Sequence, residues 1–102
     1  VSGIITTTVR ADFGTGVTIT SSDSTVLLTA AAGTIVATLP TAVGISGRQY
    51  TIKQTGTGGA SYDLATTGGQ TIDGAAGYNF SAQYRYVTVQ SDGSNWVIIA
   101  NN

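Results

Sequence analysis

Apolar and polar positions alternate along the chain in short runs separated by Gly and small polar residues, the pattern of half-buried strands. The clearest run is Gln49 to Gln54, where Tyr50 and Ile52 share one face while Thr51 and Lys53 share the other. Further β-rich runs are Ile4 to Val9, Val17 to Thr20, Val26 to Thr29, Thr34 to Leu39, Tyr62 to Ala65, Gln70 to Asp73, Tyr78 to Ser81, Tyr84 to Gln90 and Trp96 to Ala100. The run from Thr34 stops at Pro40, which has no N–H to give to a ladder. No run reaches helical length. The triplet Ala30-Ala31-Ala32 is followed at once by Gly33 and reads as a loop or tight corner.

Two runs carry bulk on both faces. Val87 and Val89 oppose Tyr84, Tyr86 and Thr88, and Trp96 and Ile98 oppose Val97 and Ile99. In a two-layer protein only one face of a strand is covered internally, so the second apolar face points to a neighbouring chain. Val97 and Ile99 are the candidate subunit interface, with the opposite face of Trp96 and Ile98 as the alternative. Between these runs, Ser91-Asp92-Gly93-Ser94-Asn95 is a hairpin signal, because Asp-Gly supplies the positive-φ positions of a tight turn. The Gly56-Thr57-Gly58-Gly59 and Thr66-Thr67-Gly68-Gly69 stretches read as turns, and no repeat of fixed period is apparent, which weighs against a solenoid or propeller. The fold expected is all-β, an antiparallel β-sandwich of jelly-roll-like kind. Residues 1–22, with a Thr-rich opening and a Gly14-Thr15-Gly16 break, read as an arm from an upstream part, and residues 23–102 as the domain itself.

Composition sharpens this picture. A chain of 102 residues fits one domain. Only 9% of it is charged, against roughly 25% in ordinary soluble proteins. Thr, Ser, Gln and Asn stand where Lys and Glu usually sit, and Glu and Met are absent, which favours pleated surfaces over exposed helix faces. The net charge of −1 and the scatter of Arg10, Arg48, Lys53 and Arg85 argue against a nucleic-acid partner. No apolar run approaches the roughly 20 residues that span a bilayer, so membrane insertion is not expected. The chain opens on Val1, which reads as a processed or excised piece.

Without His or Cys, the commonest general base, thiol nucleophile and metal ligands are missing. Carboxylates remain, at Asp12, Asp23, Asp63, Asp73 and Asp92, and glycoside hydrolysis would need two of them facing across a cleft. Asp73 and Asp92 precede Gly, and Asp12 and Asp23 fall between strands, so turn formation explains them. Asp92, Ser94 and Asn95 do not match the spacing of an EF-hand loop, and the Gly56 stretch lacks the ending of a phosphate loop. The expectation is therefore no enzyme, no cofactor and no metal. Tyr62, Tyr78 and Tyr84, close to loops, are the candidate contacts for a receptor or glycan, since Tyr joins a flat apolar face to a polar tip. Trp96 is expected in the core.

The ordered segments Thr25-Val26-Leu27-Leu28, Thr38-Leu39-Pro40, Gly47-Arg48-Gln49-Tyr50-Thr51-Ile52-Lys53, Ile72-Asp73-Gly74 and Ser91-Asp92-Gly93-Ser94-Asn95-Trp96 resemble domains of bacteriophage tail fibres and related receptor-binding proteins. The resemblance covers about Ser24 to Ile99 and its motifs are structural. It implies a β-sandwich knob near the end of a fibre, assembled as a homotrimer on the virion, outside the host cell, and attached through its N-terminal side. The partners it implies are copies of itself and a bacterial surface glycan or outer-surface protein. Two other classes fit the same residues: a purely structural module that caps a fibre or decorates a capsid, and a carbohydrate-binding appendage of a secreted bacterial protein.

Overall fold

Strands form wherever β-branched and aromatic residues recur at every second position, because only an extended chain sends them all to one side. The computed structural model describes residues 9–12, 16–29, 33–56 and 61–102. Nine strands run through them: β1 (Val9–Asp12), β2 (Gly16–Thr18), β3 (Thr25–Leu28), β4 (Thr34–Thr38), β5 (Gln49–Gln54), β6 (Ser61–Ala65), β7 (Gly77–Phe80), β8 (Tyr86–Ser91) and β9 (Trp96–Asn101). There is no helix among the described residues. The expected strand residues before Val9, the Ala30-Ala31-Ala32 corner and the Thr57-Gly58-Gly59 turn lie outside them.

The strands build two mixed sheets, β1-β3-β5-β8-β9 and β2-β4-β6-β7. From β1 to β6 the chain changes sheet at every strand, and like strands stack in parallel: β1 on β3 on β5, and β2 on β4 on β6. Each strand of one sheet thus serves as the crossover between two parallel strands of the other, the role a helix plays in a βαβ unit. The winding is that of a coil. Antiparallel pairing begins only when β7 returns on β6, β8 on β5 and β9 on β8.

This corrects the expected antiparallel, jelly-roll-like connectivity, which held only for the last three strands. A tight Asp-Gly turn joins β8 to β9 and forces a hairpin. By contrast, residues 39–48 carry the chain from β4 in one sheet across to β5 in the other. The coil also escapes a search for repeats. Val9 lies opposite Thr25 but Thr25 opposite Thr51, and Gly16 lies opposite Val36 while Thr34 lies opposite Ser61, so each coil has its own length.

Both sheets turn one face into a single core. Val26, Leu28, Tyr50, Ile52, Val87, Val89 and Trp96 enter it from the first sheet, and Val17, Ile35, Ala37, Tyr62, Leu64 and Phe80 from the second. Val17 and Ile19, expected in an arm, are core residues. The expected strand at Gln70 to Asp73 is instead a loop, which bridges to Trp96 of β9 through Ile72. Gly77 shows how close the packing is: a Cβ there would stand 2.7 Å from the Leu64 carbonyl oxygen on β6. We expect Gly77→Ala to cost about 1–3 kcal/mol, as overpacking does. Gly16→Ala, whose Cβ would meet Val36 O at an ordinary 3.7 Å, should shift stability by no more than about 0.5 kcal/mol. Urea denaturation of the two variants checks the contrast.

Candidate interaction surfaces

The residues that carry the sequence motifs meet at the end of the molecule where β4 leads to β5 and β8 turns into β9. Trp96 is fully buried, its ring tilted against Tyr50 at 5.6 Å and its Nε1–H donating to the Pro40 carbonyl at 3.3 Å. Its backbone N–H donates to Thr71 O and its carbonyl accepts from Asp73 N, at 2.9 and 3.0 Å. Asp73 then accepts from Ile98 N through Oδ1 at 3.0 Å, and Asn95 Oδ1 accepts from Thr71 N at 3.0 Å. The Ile72-Asp73-Gly74 loop therefore covers the outer edge of β9, where bare N–H and C=O groups would invite another chain. Arg48 lies over the Tyr50 ring at 4.5 Å and donates to the Asp23 carbonyl. Burial pushes the Tyr50 hydroxyl up, and Arg48 pulls it the other way.

The carboxylates are occupied in the same manner. Asp23 is buried and its Oδ2 accepts from Thr20 N at 2.9 Å. Asp63 Oδ1 accepts from Asn79 Nδ2 at 2.6 Å across β6 and β7. Asp92 Oδ1 accepts from Asn95 N and Ser94 N at 2.8 and 2.9 Å, which pins the β8–β9 turn. Among the described residues no three His, Cys, Asp or Glu side chains gather where they could hold a metal.

The three tyrosines proposed as contacts separate. Tyr62 is 1% exposed and belongs to the core, because it shares the inward face of β6 with Leu64; a surface role for it is corrected. Tyr78 is half-buried, packs edge-on to Phe80 at 5.1 Å and lines an open depression of about 360 Å³ with Asp63, Ala65, Gly77 and Asn79. Tyr84 is 57% exposed. It falls in the turn between β7 and β8, outside the strand expected to include it. Val97 is half-buried on the face of β9 opposite Trp96, and Ile99, beside a bulge in the β8–β9 ladder, is 47% exposed.

Around Tyr84 the structure assembles side chains that the sequence reading left apart. Lys53, on β5 opposite Tyr86 of β8, sets its Nζ over the Tyr84 ring at 5.7 Å, within cation–π reach. Arg85 follows on the exposed turn. The backbone of Tyr84 has φ +68°, the left-handed region that a bulky residue rarely adopts. It is held there by its own N–H to Gln54 O at 2.6 Å and by Asn102 Nδ2 to its carbonyl at 3.2 Å. The sequence marked Tyr84 as a contact candidate by its place close to a loop, but nothing in it announces the sign of φ.

No protein-family model matches the chain, and no curated protein matches it.

The Asp92 turn yields a pH prediction. Hydrogen bonds from the Asn95 and Ser94 backbone hold its carboxyl below the usual carboxylate value. A lowered folded pKa gives stability that is present above about pH 4, the unfolded value, and is lost as pH falls through the folded one. Melting temperatures between about pH 2 and 6 should therefore fall less steeply for Asp92→Ala than for the parent.

Proposed function

We propose that the chain is a non-enzymatic virion module, the knob of a bacteriophage tail fibre, which assembles as a homotrimer and presents a surface to the bacterial host. The observation that carries this reading is the division of labour among its polar residues. Those of the motifs hold corners and edges, as Asp73, Asn95 and Asp92 do, whereas the strained and exposed aromatic, Tyr84, contributes little to the core. A rigid scaffold with a presented side chain suits adhesion better than turnover.

In this reading the two sheets pack face to face as a sandwich. Their inner faces form one core, and the short 23 Å dimension of the molecule fits two sheets about 10 Å apart with their outer side chains. The trimer contact runs along β9, through Val97 and Ile99. Both lie away from the Trp96 face, and a symmetric neighbour would cover the apolar surface that Ile99 now exposes. Weak binding at one knob would gain strength from three.

Light scattering of the purified chain should give a mass near three times 10.3 kDa across a range of concentrations. Ile99→Asp should leave a folded monomer, whereas Ile98→Asp, which packs against the core, should lose its fold; circular dichroism alongside the mass measurement separates the two. A parent that stays monomeric removes the homotrimer and favours a carbohydrate-binding appendage. An Ile99→Asp protein that stays trimeric moves the interface off β9.

A further inference from the structure

We propose that the corner formed by Tyr84, Lys53 and Arg85 is a recognition site for an acidic sugar, a saccharide ring whose charge is carried by carboxylate or phosphate. The proposal rests on the receptor-binding reading and names the chemistry of its ligand.

Positive φ is otherwise given to residues that tolerate it. Gly33, Gly44, Gly47, Gly68, Gly69, Gly74 and Gly93 adopt it, as does Asp73, a short polar residue whose carboxylate accepts from Ile98 N on β9. Tyr84 is the bulky exception among the described residues. A turn built for folding alone would place Gly or Asn there. Instead, several bonds clamp the turn so that the ring stands out. Tyr84 N donates to Gln54 O, Gln83 Nε2 donates to Thr55 O at 3.1 Å, and Asn102 reaches both Tyr84 O and Tyr86 N. Strain maintained by so many partners is the mark of a residue positioned for contact.

The chemistry of the corner selects the ligand. An aromatic face stacks on the C–H face of a pyranose, and the phenol hydroxyl of exposed Tyr84 can donate to or accept from ring hydroxyls. Lys53 supplies positive charge over the ring, and exposed Arg85 follows Tyr84 in the same turn. In a chain with four basic residues, two of them within one residue of the same aromatic turn or over its ring is a concentration that a neutral sugar would not use. An acid group on the sugar would take a charge-assisted bond from either cation.

The test titrates the purified chain, followed by amide chemical shifts, with oligogalacturonate, phosphomannan, and neutral galactan and mannan of equal length. At least one acidic oligomer should shift residues 53 and 83–86. It should bind tenfold or more tightly than its neutral counterpart, and Tyr84→Gly or Lys53→Gln should weaken it at least tenfold. Tyr84→Gly should also melt no lower than the parent, since it removes the backbone strain; a marked fall would mean that the ring serves the fold and would overturn the proposal. Equal binding of acidic and neutral oligomers at this corner overturns the acidic specificity and leaves host binding intact. If no oligomer binds yet Tyr84→Gly abolishes adsorption to host cells, the sugar site fails while the receptor reading stands. If adsorption is also unchanged, both fail.

Discussion

The burial of one indole organises the molecule. Trp96 opens β9, and its ring reaches across the core to Tyr50 and the Pro40 carbonyl, while its own backbone binds the loop that follows β6. Burying an indole N–H without a partner costs free energy, so Pro40 must lie where its carbonyl can accept. That requirement fixes the corner after β4. The same residue fixes the edge of the first sheet, because Thr71 and Asp73 can satisfy the backbone of β9 only if Ile72 is inserted beside it. Three stretches far apart in sequence are thereby held at one end.

What this arrangement achieves is closure of a coil. Six strands wound in parallel leave a sheet edge after the last turn, and parallel edges are open to further pairing. β7 covers β6, and β8 and β9 extend the other sheet beyond β5 in the antiparallel sense. The final edge is then covered by the Asp73 loop, whose carboxylate takes the Ile98 N–H. Thr51 and Thr88, joined hydroxyl to hydroxyl at 2.9 Å on the outer face, tie the parallel and antiparallel parts together at β5 and β8. The low charge content fits this design, since a cross-strand hydroxyl pair such as Thr51 and Thr88 joins neighbouring strands without charged side chains.

The opposite end is organised differently. There the β7–β8 turn is bound to the end of β5 through Gln54 and Thr55 and to Asn102, and it projects Tyr84 outward. One end of the protein commits its polar groups to itself. The other holds an aromatic ring and two cations at the surface, which is where a binding surface gains most from a rigid support.

Strand content was legible in the sequence because burial with a period of two leaves its mark on strands such as β3 to β6 and β8: Tyr50 and Ile52 lie inward and Thr51 and Lys53 outward, while Trp96 lies in the core and the Asp92-Gly93 hairpin joins β8 to β9. Pairing partners were not legible. Alternation states which face of a strand is apolar, but not whether its neighbour in the sheet is the next strand or the one after, and coils of unequal length conceal the repeat. Tyr62 and Tyr84 make the same point for the site. Both flank loops in sequence, yet Tyr62 shares the inward face of β6 with Leu64, and a positive φ held by bonds to Gln54 and Asn102 turns Tyr84 out. The chain by itself determined that this is an all-β protein with one core, because periodicity is a local property. Only the tertiary structure decided how the strands wind and which side chains meet at the surface, because those depend on contacts between residues that the sequence keeps far apart.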